Sequence, residues 1–354
     1  MPKRRYTAAQ SSRNCGKRGS TQLVVSPSRR FVQAWHQRAV GARNMAGYRL
    51  TTGKRTDSAA PNAELSLSGP TTGGRLREMD WKQRVIQLLA PSVISRNERF
   101  KGRHEGETCY IIGNGASLKH MDLSAFDDRI AIGLNFLCIH RDFHKLNALY
   151  YVMPASRFLY PFYENPYSKK YQVNHTGKAL KRAIARCPET TVFTSISNIL
   201  ALAMVRNVFY IHHFGNPEAD RQVCDISGKF SFMAGGLHAG IGVAINLGFK
   251  KAILIGCDYV FTPTQDGHFY GAGPPVRSNR RENVYEKLFE EVAEDIDLSL
   301  VTDTCGSKWL PYEDYESYTG RQIRYRENYE IVDDVYLRMF DRSYRQGMYM
   351  SPIY

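Results

Sequence analysis

Residues with the types and spacing for chemistry sit just past short apolar runs. Gly113-Asn114-Gly115 follows Cys109–Ile112, with Ser117 close behind. Asn135 follows Ile130–Leu134, and Asp258-Tyr259 follows Lys251–Ile255. Gly235-Gly236 opens a stretch of small residues, and His268-Phe269-Tyr270 lies in a glycine- and proline-rich stretch beyond Asp258. Glycines let a backbone turn sharply and approach a ligand, and a helix starting behind them presents free N–H groups to an anion. This predicts a nucleotide or phosphate pocket at 113–117, although an ordinary strand-to-helix turn uses the same residues. Leu118 stands at the third glycine position of a dinucleotide fingerprint, and Asn135 stands where a ribose-binding carboxylate is wanted, which argues against NAD. No Gly-Lys-Ser/Thr follows, so a Walker-type phosphate loop is excluded as well.

Each asparagine offers a donor and an acceptor, enough to read a base or ribose without adding charge, yet asparagine is also a common turn residue. The N–H groups of Gly235 and Gly236 suit a phosphate, or the pair serves close helix–sheet packing. Asp258 could bind a sugar hydroxyl, act as a base, hold a metal or cap a helix. Histidine titrates near neutrality, so His268 on a loop over the ligand edge is a candidate general base. Tyr259 or Tyr270 could donate a hydrogen bond to a departing phosphate.

The elements that must position these groups alternate. Apolar runs at 109–112, 130–134, 148–152, 191–194, 208–212, 251–255 and 298–301 read as strands, the last one closing the core. Helical patterns fall at 118–126, 178–185, 198–204, 235–247 and 279–294. Gly248 caps the fourth of these, and Asn279 with Glu282 forms a capping box for the fifth. This rhythm predicts an α/β fold: a Rossmann-like, mostly parallel sheet with helices on both faces. Residues 157–171 and 213–232 read as lid-like loops. A short amphipathic helix is expected from Trp81 to Leu89, and the Tyr- and Arg-rich tail from Tyr312 shows no clear pattern.

The net charge of +14 over 354 residues belongs mostly to one end. Residues 1–78 carry 15 basic and 3 acidic residues, which leaves 33 and 31 for the rest. The body is thus nearly neutral, and a nucleic-acid partner is not expected. The leader reads as disordered. A start codon placed too far upstream, with the protein beginning at Met79 or Met45, is the favoured explanation. A transit peptide and a basic tail for anionic surfaces are the others. Residues 79–354 are expected to form one nucleotide-binding domain with its core at 105–315. The 7 cysteines show no CxxC spacing, so neither a zinc site nor a disulfide framework is expected. Buried thiols at Cys109 and Cys257 fit a reducing compartment.

Taken in order, the Gly-Asn-Gly-x-Ser-Leu turn at 113–118, Asn135, the glycine-rich helix start, Leu-Gly-Phe-Lys at 247–250 with Gly-Cys-Asp-Tyr at 256–259, and His-Phe-Tyr at 268–270 resemble one group. These are the bacterial sialyltransferases of glycosyltransferase family 42 and their broader relatives, the 6-hydroxymethylpterin diphosphokinase MptE-like domains. The resemblance covers roughly 105–315. It implies a Rossmann-like fold with one nucleotide site and, for the sialyltransferases, transfer of a nonulosonic acid from a CMP donor without a required metal; the expected mechanism is inverting. It further implies Asn114 and Asn135 around the nucleotide, and Gly235 and Gly236 near the donor phosphate and ribose, where the sialyltransferases have Thr-Ser. Asp258 would line the cytidine or ribose pocket, with His268 the catalytic histidine and Tyr270 a phosphate-binding tyrosine. Ala116 stands where the family has proline, and Met153 where it has a third donor-binding asparagine.

The expected protein is therefore a cytoplasmic glycosyltransferase with no permanent cofactor, a CMP-sugar donor, and a glycan or protein acceptor. The alternative is MptE-like pyrophosphoryl transfer from ATP with magnesium, for which Asp258 and Asp266 are the nearby carboxylates. Peripheral membrane contact by the tail and a homo-oligomer are left open.

Overall fold

Alternation of apolar side chains buries the central strands on both faces and so divides the core in two. In β1 (Thr108–Ile112), Cys109 and Ile111 enter one core while Tyr110 and Ile112 enter the other. β2 (Ile130–Leu134), β3 (Tyr150–Met153) and β8 (Lys251–Ile255) divide in the same way. Each such aliphatic side chain contributes roughly 1.5–3 kcal/mol by leaving water. The structure, a computed structural model, describes residues 90–164, 171–202, 204–212, 223–232, 235–278 and 285–347. The basic leader, the helix expected at 81–89 and the Asn279–Glu282 capping box lie outside them.

The strands form one eight-stranded sheet in the order β12-β11-β8-β1-β2-β3-β6-β7, with every adjacent pair parallel. β6 is Thr191–Ser195, β7 is Val208–Ile211, β11 is Asp297–Thr302 and β12 is Tyr312–Asp314. From β1 the chain runs outward through β2 and β3, then returns to place β8 on the other side of β1. The sheet therefore has its switch point between β1 and β8, the place where open α/β sheets leave a crevice at their carboxyl ends.

The expected strands are present, and the differences lie elsewhere. The sheet does not end at β11, because the tail adds β12 beyond it. The remainder of the tail folds into Tyr315–Thr319, Asn328–Ile331 and the amphipathic helix Asp334–Arg345, which packs on α1 (His175–Ile184) through Tyr336, Leu337 and Phe340. The helix expected over 118–126 is instead two 3-10 turns, Ala116–Lys119 and Leu123–Ala125. The Asp122 carboxylate accepts from Ser124 N–H and opens the second turn, interrupting any continuous helix. The helix expected over 198–204 is likewise a 3-10 turn, Ile196–Ala201, where the buried Asn198 amide serves Ala155 O. Part of the expected lid is a hairpin, β4 (Phe162–Glu164) against β5 (Tyr171–Val173). α2 (Gly236–Leu247) is buried along almost its whole length and ends at Gly248, whose φ of 93° suits the glycine cap. Among the described residues, no helix is long and apolar enough to cross a membrane.

Candidate active site

The turns after β1 and β8 face each other across the switch point. Gly113 N–H donates to Ile255 O and Gly115 N–H to Gly256 O, both at 2.8 Å. Beside them opens a cavity of about 330 Å³, floored by the ends of β1, β2, β3 and β8. It is closed on one side by the start of α2 and on the other by the loop between β9 (Thr264–Asp266) and β10 (Val276–Ser278). Gly113, Asn114, Gly115, Asn135, Gly235, Gly236, Asp258, Tyr259, His268 and Tyr270 all line it. Residues separated by more than 150 positions are thus brought to one crevice. No lysine or arginine is among the described lining residues, and Asp258 is the carboxylate there.

The side chains on the polar side bond to one another. Asn135 Nδ2 donates to Asn114 Oδ1 at 3.5 Å, and Asn114 Nδ2 donates to His268 Nδ1 at 3.3 Å. Asn135 stands in the left-handed region at φ 48°, which asparagine tolerates better than most residues. Gly236 leaves room for it: a Cβ there would lie 2.2 Å from Asn135 Nδ2. The backbone seats His268 as well, through a bridge with Gly115 and a bond from Phe269 N–H to Asn114 O at 3.3 Å. His268 is half-buried and Tyr259 is partly exposed, whereas Tyr270 is nearly all buried against Phe136, Phe340 and the His268 ring.

Ser117 does not line the cavity. It is fully buried, and it holds Asp258 with its N–H (2.8 Å) and hydroxyl (2.5 Å). Burial pushes the Asp258 carboxyl up to about 7, against those two hydrogen bonds, and neighbouring Asp303 adds to the rise. Burial also raises Asp303, but His120 (2.6 Å), Thr304 N–H and Gln265 outweigh it and hold Asp303 below the usual carboxylate range. The carboxylate beside Asp258 is therefore Asp303; Asp266, paired with it in the magnesium alternative, is not among the lining residues. Among the described residues, no cluster of three or more His, Cys, Asp or Glu is arranged to hold a metal.

The 3-10 turn behind Gly115 also changes the expected anion site. A turn this short lacks the aligned dipoles of a long helix, so the N–H of Ser117 serves Asp258 instead. At α2, Gly235 and Gly236 stay at the cavity wall, consistent with either of their expected roles.

Several residues of the site carry no motif. Phe136, Phe158, Met153 and Leu180 make an apolar wall, and Tyr285 faces the start of α2. Lys119 and Asn328 hold the loop that carries His268. Lys119 is 1% exposed; burial lowers its pKa, and Glu327, 4.0 Å away, opposes that. The Lys119 neighbours Ser117 and His120 are polar, so the sequence carries no signal that this lysine is buried.

No family model matches the chain, and no curated protein matches it. Among solved structures, the chain is similar to the sialyltransferase CstII from Campylobacter jejuni, solved in complex with a substrate analogue, CMP-3FNeuAc. The identity is 14% and the TM-score 0.33; the match covers 66% of this chain and 99% of that one.

Proposed function

We propose that this chain is a glycosyltransferase that moves a nonulosonic acid from a CMP-activated donor to a glycan or protein hydroxyl, with inversion and without a required metal. One observation carries the reading: a half-buried histidine, hydrogen-bonded to the glycine turn's asparagine, lines a switch-point cavity that also has tyrosines in its wall. The sequence resemblance at 113–118 and 247–259 supports the same reading. Among the described residues the lining holds no lysine or arginine, which suits a donor with a single phosphodiester better than a triphosphate.

In the proposed reaction the acceptor oxygen attacks the anomeric carbon as the bond from that carbon to the phosphate oxygen breaks. With the Asn114 amide turned so that its oxygen accepts from Nδ1–H, His268 takes the acceptor's proton at Nε2, and the electron pair leaves with CMP. Tyr259 and Tyr270 donate hydrogen bonds to the phosphate as its charge grows. Asn114 and Asn135 bind the nucleoside, and Asp258 lines the ribose or base pocket. With a carboxyl pushed up to about 7, Asp258 accepts from a hydroxyl when ionised and donates when neutral.

The test begins with melting of the protein alone and with CMP, UMP, GMP or ATP plus magnesium. A ligand at a hundred times its dissociation constant stabilises by about 2.7 kcal/mol. Stabilisation by CMP without metal is the expected result, and stabilisation by ATP–magnesium alone would overturn the reading. His268→Ala should then abolish turnover of a CMP-sugar while leaving the CMP shift nearly intact. Loss of both together would make His268 a structural residue.

A further inference from the structure

The loop that carries His268 and Tyr270 has little secondary structure of its own. Beyond the short β9–β10 hairpin its internal bond is a turn, Gly271 N–H to His268 O at 2.9 Å. Its carbonyls are taken by side chains from two distant segments. Asn328 Nδ2 donates to Tyr270 O at 3.0 Å, within the buried interior. Lys119 Nζ donates to Gly271 O at 2.6 Å and also to Gly273 O.

Both donors are themselves fixed. Lys119 belongs to the turn that starts behind Gly115, and its own carbonyl accepts from Arg326 N–H at 2.9 Å; His120 O accepts from Arg324 N–H at 3.2 Å. The stretch 324–328 thus runs alongside 119–120. A buried ammonium costs several kcal/mol unless its hydrogen bonds are met, so its location is set by where acceptors are. Here the acceptors are the carbonyls directly after the candidate catalytic residues.

We infer that Lys119 and Asn328 are positioning residues, a two-point clamp that locks the His268–Tyr270 loop against the glycine turn. The clamp makes the C-terminal segment part of the active site without a contact to substrate. Lys119 carries the charge-assisted bond, and Asn328 carries a neutral one aimed at the Tyr270 peptide. The role in turnover rests on the transferase reading above; the mechanical role does not.

The experiment compares wild type, Lys119→Ala and Asn328→Ala by hydrogen exchange and by CMP-sugar turnover. Exchange at residues 267–273 should quicken about tenfold in either variant, with the strand amides of 109–112 unchanged. kcat should fall, by up to about a hundredfold for Lys119→Ala, with the donor KM and the CMP melting shift nearly kept. n-Propylammonium, which replaces the atoms that truncating Lys119 removes, should restore part of kcat in Lys119→Ala and none in Asn328→Ala. Unchanged exchange at 267–273, or unchanged kcat in an active enzyme, would overturn the clamp. If Lys119→Ala fails to fold, Asn328→Ala, which removes no buried charge, decides. If wild type neither binds CMP nor turns over a CMP-sugar, the transferase reading fails, and the exchange comparison still decides the clamp.

Discussion

The floor of the cavity and the loop that closes it are held by different physics. The floor consists of strand ends whose backbone groups are paired across parallel ladders and whose side chains enter two apolar cores. Its stability is spread over many residues. The loop at 268–273 is held at its start by backbone contacts to the glycine turn and by the burial of Phe269 and Tyr270, and past Tyr270 by side-chain bonds from segments more than 50 residues away in sequence. Shape on the floor is set by space, with glycines where another group must fit, while shape in the loop past Tyr270 is set by individual donors. Substitutions on the floor should change binding and stability together, and substitutions around the loop should separate them.

The largest expected effect falls where the two regions share a wall. Phe340, fully buried, packs tilted against Tyr270 (centroids 4.5 Å apart) and edge-to-face with Phe136 (5.0 Å). Phe340→Ala should cost about 3–5 kcal/mol, through lost burial and the cavity left behind. Urea unfolding measures this; a loss below 1 kcal/mol would mean that the C-terminal helix is not integral to the wall. The next effect tests the floor alone. A Cβ at Gly115 would lie 2.2 Å from the Asp258 carboxyl, so Gly115→Ala must displace Asp258 or the turn. About 1–3 kcal/mol of stability and the CMP melting shift should go together. A variant that kept wild-type CMP affinity would show that the floor tolerates movement and that the contrast is overdrawn.

Legibility in the sequence follows the same division. β2 and β8 lie at the residues expected of them because a strand buried on both faces is a continuous apolar run bounded by turn residues. The turn residues past those runs line the cavity for the same reason: parallel strands all deliver their carboxyl ends to one edge. The apolar spacing at 118–126 and 198–204 predicts helices where the chain makes 3-10 turns, since that spacing matches both and only tertiary partners such as Asp258 and Ala155 decide. Ser117 was expected at the ligand and instead holds Asp258, a distinction of one hydroxyl's direction that spacing does not encode. Lys119, Asn328 and Phe340 were missed altogether. The partners of Lys119 and Asn328 are carbonyls far away in sequence, whereas Phe340 lies on a helical apolar period with Tyr336 and Leu337 that the tail's many Tyr and Arg residues obscure.

The effect that accumulates most gradually, pH unit by pH unit, concerns Asp258, and it has a sign. Its carboxyl is pushed up to about 7 in the folded protein from an ordinary value near 3.8. Below both values the group is protonated in either state, and its contribution is fully present. Between about pH 4 and 7 the unfolded chain has released the proton and the native state has not, so stability falls as pH rises, by at most ~1.4 kcal/mol per pH unit. Above the folded value both states are ionised and the loss stops growing. Asp258→Asn should therefore flatten the difference in stability across that window, read as melting temperature at intervals from pH 4 to 8. Ser117→Ala should act oppositely: with one donor to the carboxylate gone, the folded pKa climbs further and the loss extends above pH 7. If both variants paralleled wild type over the whole range, Asp258 would be ionised in the folded protein throughout. The floor would then be held by a fixed charge and its two Ser117 donors, and the contrast between a floor set by space and a loop set by individual donors would narrow to the glycines.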